Sequence, residues 1–187
     1  MGSTFLHGPG RPDQPGTTAG TISGSEPVGT TYTSTDGAGV GAWVWRKRPT
    51  GWTCPDVDTL NRYITADAAL LPLGGEAVIR RIGSRVSLVL KDIPRAYGAV
   101  IFNIPDGFRA MSQLNIGGQA KMTGAGGVFQ TVTYQGSGVG PRMMWSGNSI
   151  TYHGLAVADS LADVHASWHS NQAPPASLPG VTDLYSY

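Results

Sequence analysis

The dipeptide Gly83-Ser84 sits between two β-rich runs, EAVIRRI at 76–82 and RVSLVLK at 85–91, and it constrains this chain more than any other feature. Glycine in the first place suits a two-residue type II′ turn, and a two-residue turn leaves a hairpin no freedom of register. Pairing Ile82 with Arg85 sets Ile79 opposite Leu88 and Ala77 opposite Leu90, which gathers apolar side chains on one face. Arg80 falls opposite Ser87 on the other face, and Glu76 meets Lys91 as a cross-strand ion pair. Apolar segregation and charge pairing agree on one register, so a hairpin is expected over 76–92.

Composition extends this to the whole chain. Charged residues make up 13% of the 187, beside 27 glycines and 13 prolines; an ordinary soluble domain carries about 25% charged residues. Short strands joined by glycine turns give such a composition, whereas long exposed helices need more Glu, Lys and Ala. Further strands are expected at 43–45, 99–103, 114–122, 128–135, 142–145, 149–153 and 164–168, with Pro49-Thr50-Gly51 and Ser146-Gly147-Asn148 as hairpin turns. Only 56–71 carries a partial helical period, in Leu60, Tyr63, Ile64 and Leu70, and Pro72-Leu73-Gly74-Gly75 ends it. The expected fold is all-β: an antiparallel β-sandwich or jelly-roll-like domain with an extended N-terminal arm. Three parts are expected: the arm at 1–28, a Gly/Trp-rich hairpin and connector at 29–75, and the sandwich at 76–187.

The arm lacks hydrophobic periodicity and is rich in glycine and proline, so it needs something outside itself to order it. Phe5, Leu6 and Ile22 are its candidate anchors on a partner. The segment 29–52 holds three of the five tryptophans and five glycines beside Arg46-Lys47-Arg48. Tyr32, Trp43, Trp45 and Trp52 offer more aromatic surface than one small domain is expected to bury, which makes them candidates for a subunit interface. Arg46, Lys47 and Arg48, with Arg80, Arg81, Arg85, Lys91 and Arg95, place eight of the 13 basic residues in two stretches. Arg46, Lys47, Arg48, Arg80 and Arg81 form a candidate patch for an acidic partner or a phosphate-bearing polymer; charged strand edges that block unwanted pairing are the other reading of the same residues.

Other constellations point away from catalysis and cofactors. Gly37-x-Gly39-x-Gly41 lacks the third spacing of a dinucleotide loop and leads into Trp43-Val44-Trp45, a strand-like run. His165 and His169 lie four apart, but on a strand that separation is roughly 13 Å, too far to share one metal ion. No Gly-x-Ser-x-Gly elbow, His-Glu-x-x-His helix or P-loop occurs. Asp36, Asp56, Asp58 and Asp106 lie near aromatic residues as paired glycosidase carboxylates would, yet all suit turns. Cys54, the single cysteine, has no internal disulfide partner and reads as a small buried residue. A formal net charge of +1 gives no global attraction to nucleic acid or an anionic membrane. The N-terminus has no basic region followed by a hydrophobic run, position 6 is leucine where a myristoylation signal has Ser or Thr, and no apolar stretch is long enough to span a bilayer. Neither a cofactor nor membrane insertion is expected.

Five short segments carry a resemblance: GTTYTSTDGAGVGAWVWRKRPTGW at 29–52, Gly10-Arg11-Pro12-Asp13-Gln14-Pro15, Ser25-Glu26-Pro27-Val28-Gly29, Ile104-Pro105-Asp106-Gly107-Phe108-Arg109, and the ending from Ser167-Trp168 to Leu178-Pro179-Gly180. Together they resemble surface proteins of tailed bacteriophages, particularly tail-fibre or receptor-binding-type modules of phages infecting actinobacteria. Where such proteins usually show a Gly-Asp-Thr-Gly-Trp-Arg-like turn, this chain has Val57-Asp58-Thr59-Leu60-Asn61-Arg62 and keeps only Asp58, Thr59 and Arg62. The resemblance implies a non-enzymatic virion protein, made in a host cytoplasm and assembled onto a particle. Its expected partners are itself, as a trimer, other virion proteins reached through the arm, and host surface glycan. A capsid decoration protein is the alternative. A tail-spike polysaccharide hydrolase comes third, because those enzymes are normally long β-helical repeats and none is visible here.

Overall fold

In a computed structural model of the chain, residues 4–14, 22–94, 96, 98–110, 117–123, 129–130, 142–146, 148–153 and 161–182 are described. Thirteen strands occur among them: β1 (Phe5–Gly8), β2 (Thr31–Ser34), β3 (Val44–Arg48), β4 (Gly51–Thr53), β5 (Arg62–Thr65), β6 (Glu76–Ile82), β7 (Arg85–Pro94), β8 (Val100–Asn103), β9 (Gly117–Thr123), β10 (Phe129–Gln130), β11 (Arg142–Ser146), β12 (Ser149–His153) and β13 (Leu161–His169). The protein is all-β, and its only helical element among the described residues is a three-residue turn at Gly37–Gly39.

The Gly83-Ser84 hairpin forms in the expected register. Ile82 pairs with Arg85, Ile79 with Leu88, Ala77 with Leu90, Arg80 with Ser87 and Glu76 with Lys91, although the Lys91 ammonium lies 3.6 Å from the Asp92 carboxylate and the expected ion pair is seen only as register. Gly83 takes φ +57 and Ser84 does not share the positive φ, as a turn with glycine in its first central place requires. Around this hairpin a six-stranded antiparallel sheet runs in the order β10-β9-β13-β7-β6-β5. One face of it, carrying Ile79, Leu88, Val164 and Trp168, packs on Phe102, Ile150 and Tyr152 of a three-stranded sheet ordered β11-β12-β8, and Phe108 is buried in the same cluster. Two sheets facing one apolar core make a sandwich-like arrangement without a closed barrel. A separate four-stranded sheet, β1-β2-β3-β4, encloses a second core of Tyr32, Val40, Ala42, Trp45, Cys54 and Val57.

Several expectations need correction. The 56–71 segment is not helical: Leu60 takes φ +55 and Arg62–Thr65 is a strand paired with β6. Along it the side chains alternate, with Arg62 and Ile64 buried, Tyr63 half-buried and Thr65 exposed, while Leu60 before it is exposed. Because β5 is the edge of the six-stranded sheet, the boundary at residue 75 cuts through a sheet and 29–75 is not self-contained. The arm is not free either. Phe5–Gly8 pairs in parallel with Thr31–Ser34, so the chain itself supplies the partner that was expected from outside. The expected strands at 99–103, 142–145, 149–153 and 164–168 are present with shifts of a few residues at their ends, and the Trp145/Ser149 hairpin closes with Ser146 paired to Ser149. Of the strand expected at 128–135, Phe129–Gln130 is seen, and 128 and 131–135 lie outside the described residues. No helix among the described residues is long and apolar enough to cross a membrane.

Leu88 is 1% exposed in the sandwich core, while Ile82, at the hairpin tip, is 54% exposed. Replacing Leu88 by Ala should therefore lower the unfolding free energy by about 2–5 kcal/mol through lost transfer energy and the cavity left behind. Ile82→Thr keeps β-branching at a wet site and should stay within about 0.5 kcal/mol. Denaturant unfolding of both variants checks the face assignment.

Candidate functional site

An irregular segment, residues 170–181, runs from the end of β13 across the molecule and organises the surface around it. It contains Pro174, Pro175 and Pro179, which lack N–H groups and present acceptors only. Three arginines, side chains that only donate, meet those acceptors. Arg11 gives hydrogen bonds to the carbonyls of Pro174 (3.0 Å) and Pro175, and Arg62 donates to Pro179 (2.9 Å) and Gly180 (2.6 Å). Arg81 donates to Gln172 (2.8 Å), Ala173 (3.2 Å), Gly83 (2.8 Å) and Gly107. The Gln172 side chain accepts in turn from the backbone of Gly107 and Arg109, both at 2.9 Å.

Arg81 is thus a strap-holding residue inside the protein, 4% exposed, and not part of a free patch as expected. Burial lowers its pKa, against a smaller opposite influence of Cys54, yet a guanidinium stays charged at neutral pH. No carboxylate pairs with it among the described residues, so its charge is spread over neutral carbonyls and is not cancelled. Arg80 is also engaged, in a two-point pair with Asp58 at 3.1 and 2.8 Å. That hydrogen bonding holds the Asp58 carboxyl below its ordinary pKa; its contribution is complete above the ordinary value and is lost as pH falls through the depressed one. Both side chains are about one-third exposed, which limits the pair to about 0–1 kcal/mol. Arg46 and Arg48 remain exposed on β3, and Lys47 lies over the Trp52 ring with its ammonium 5.5 Å from the centroid.

The aromatic residues divide into two groups. Tyr32 and Trp45 are completely buried, so they do not reach a subunit interface. One chain manages this because each polar tip finds an acceptor: Tyr32 donates to the Pro9 carbonyl (2.8 Å) and Trp45 to that of Ala42 (2.9 Å), while the Arg11 guanidinium covers the Trp45 ring at 5.5 Å. Trp43 and Trp52 retain exposed area. Trp43 is 49% exposed and its ring lies directly on Gly37, where a Cβ would come within 2.9 Å of two ring atoms. Asp36 stiffens that seat by accepting from Gly10 N (2.9 Å), Ser34 Oγ (2.7 Å) and Ala38 N (2.8 Å); these bonds, Gly10's first, hold its carboxyl below the ordinary range. An indole seated on bare backbone, with about half its surface in water, is a preformed stacking platform.

Trp52 borders a groove of about 420 Å³ between the β3–β4 hairpin, the Gly83-Ser84 turn and the strap, lined also by Arg48, Thr53, Cys54, Pro55, Arg81 and residues 171–174. That volume is in the range of small-ligand sites. No aspartate or glutamate lines it. Among the described residues the Trp52 indole N–H has no acceptor, although its ring meets Tyr32 edge-on at 6.3 Å. Cys54 is buried, and burial first of all raises its thiol pKa, which makes it a wall and a poor nucleophile.

The remaining candidates take structural or surface positions. Leu6 and Ile22 pack partly buried against the second core, and Phe5 stands 74% exposed at the sheet edge. His165 and His169 are exposed on the outer face of β13, the latter with Nδ1 3.1 Å from Ser84 Oγ. Asp106 pairs with Arg109 at 2.7 Å and Asp56 is exposed. Reasoning from sequence missed the strap and the roles of Arg11 and Arg62; the pair Pro174-Pro175 was the available signal, since residues without N–H groups cannot join a ladder and leave buried carbonyls that need donors from elsewhere. Comparison with protein-family models, curated proteins and solved structures finds no match for this chain.

Removing Arg81 strands four carbonyls, so Arg81→Met should lower stability by about 2–4 kcal/mol, at roughly 1–3 kcal/mol per unsatisfied buried group with partial repair by water. Arg81→Lys should rescue little of this, because one ammonium cannot reach four divergent acceptors. Arg46→Met on the exposed face should change stability by no more than about 0.5 kcal/mol. Chemical denaturation of the three variants tests the assignment.

Proposed function

We propose that this chain is a non-enzymatic structural protein of a tailed-bacteriophage particle, a tail-fibre or receptor-binding component that contacts host surface glycan. The observation that carries this reading is Trp43, an indole fixed on Gly37 and half in water. Sugar rings have apolar faces that stack on such a surface, and a ring that is already seated loses little freedom on binding. The positions of the carboxylates support a binding role over hydrolysis, because Asp36 holds a turn, Asp58 pairs with Arg80 and Asp106 pairs with Arg109. In a trimer three such platforms would face one cell surface, and linked weak contacts gain avidity without any new interaction.

Capsid decoration is the second reading, favoured by a different observation. Among the described residues β1 is an edge strand, and Phe5 on it is 74% exposed. A sheet edge that carries an exposed aromatic side chain suits strand addition by another protein, and on a capsid lattice that protein would be the major shell subunit.

The purified protein should co-sediment with cell envelopes of the phage host, and Trp43→Ala should weaken this at least about tenfold while leaving the circular dichroism unchanged. Envelope binding that is absent, or indifferent to Trp43, would remove the receptor-binding reading. Counting copies per particle then separates the two locations: a few copies mark a tail component, a lattice-filling number marks decoration.

A further inference from the structure

The groove beside Trp52 combines features that the fold itself does not use. Two arginines line it, Arg48 and Arg81, and Lys47 sits on the ring that forms one wall. None of the lining residues is acidic, and the nearest acid along the chain, Asp56, is exposed and outside the lining. Arg81 is committed to carbonyl acceptors, so it adds positive potential without offering free donors, whereas Arg48 is exposed and has no ion pair among the described residues. The rest of the lining is part apolar, in Pro55, Ala173 and Pro174, and part amide and hydroxyl, in Asn171, Gln172 and Thr53. Among the described residues the Trp52 N–H has no acceptor to lose, so this ring can adjust to an occupant without breaking a hydrogen bond seen there.

We propose that this groove binds an acidic saccharide unit, a pyranose carrying a carboxylate, with the ring against Trp52 and the carboxylate toward Arg48. A flat apolar wall, a polar rim and a lining that carries cations but no acids suit a ligand with apolar ring faces, hydroxyl edges and one negative charge. The inference rests on the glycan-contacting reading above and specifies the chemistry of the glycan at a second place, distinct from the Trp43 platform.

The test is titration of the full-length protein with three probes: a glucuronic-acid-containing disaccharide, the matching neutral glucose disaccharide and inorganic phosphate. Chemical shifts of the tryptophan indole N–H groups, assigned by substitution, provide the readout. The acidic disaccharide is expected to move the Trp52 signal saturably, to bind about tenfold or more weakly to Arg48→Glu, and to weaken with added salt; the neutral sugar should bind at least about tenfold more weakly. Arg48 is exposed, so the variant keeps its fold, which the unchanged Trp45 and Trp168 signals would verify. No saturable shift at Trp52, equal binding of the neutral sugar, or indifference to Arg48→Glu overturns the proposal. Phosphate binding as tightly as the acidic sugar overturns its saccharide part and leaves a simple anion site. Envelope binding decides the underlying reading separately: acidic-sugar binding without envelope binding defeats that reading alone, and envelope binding without acidic-sugar binding defeats the groove alone.

Discussion

Backbone carbonyls that no β-ladder reaches are held here by side chains that can only donate hydrogen bonds. The strap at 170–181 carries three prolines and crosses a region where Pro174 and Pro175 are buried, so their carbonyls need partners that a β-ladder does not supply there. Arg11, Arg62 and Arg81 come from three distant parts of the chain and converge on this one stretch. Between them they tie the N-terminal segment, the edge strand β5 and the central strand β6 to the same piece of backbone. Leu178, on the strap, packs against both apolar cores. The sandwich core and the Tyr32/Trp45 core are therefore joined through the strap, and the groove beside Trp52 exists because the strap forms one of its walls.

The part of the fold that was legible in sequence is the part fixed by local chemistry. Gly83-Ser84 set a turn, the turn set a register, and the register placed Ile79, Leu88 and Leu90 in the core. The strand at 62–65 was misread because Leu60, Tyr63 and Ile64 mimic a helical spacing; pairing with β6 overrides so weak a preference. The N-terminal arm was misread for a related reason. Its few apolar residues show no period, but a parallel partner at Thr31–Ser34 and the Arg11 clamp hold it without a core of its own. Both depend on contacts distant in sequence, which local pattern does not encode.

The candidate site follows the same division. Sequence singled out the tryptophans and the basic stretches, and their chemistry differs from residue to residue for reasons of depth. Tyr32 and Trp45 are interior because their polar tips reach carbonyls of Pro9 and Ala42. Trp43 is outside because Gly37 gives it a flat seat in place of a pocket. Arg80 and Arg81 are neighbours on one strand with opposite fates, since alternation sends one to Asp58 on the surface and the other beneath the strap. What remains available to a ligand is Trp43, Trp52 and the exposed cations of β3.

Equilibrium unfolding followed separately at Trp45 and Trp168 tests the central claim most directly, because the two indoles lie in different cores. With 5-fluorotryptophan incorporated and each fluorine signal assigned by substitution, both native signals should disappear at one denaturant midpoint, as expected of cores joined by the strap into a cooperative unit. Loss of the Trp45 signal at a concentration where that of Trp168 is still fully native would show that the two cores are independent and that the arginine-held strap does not couple them.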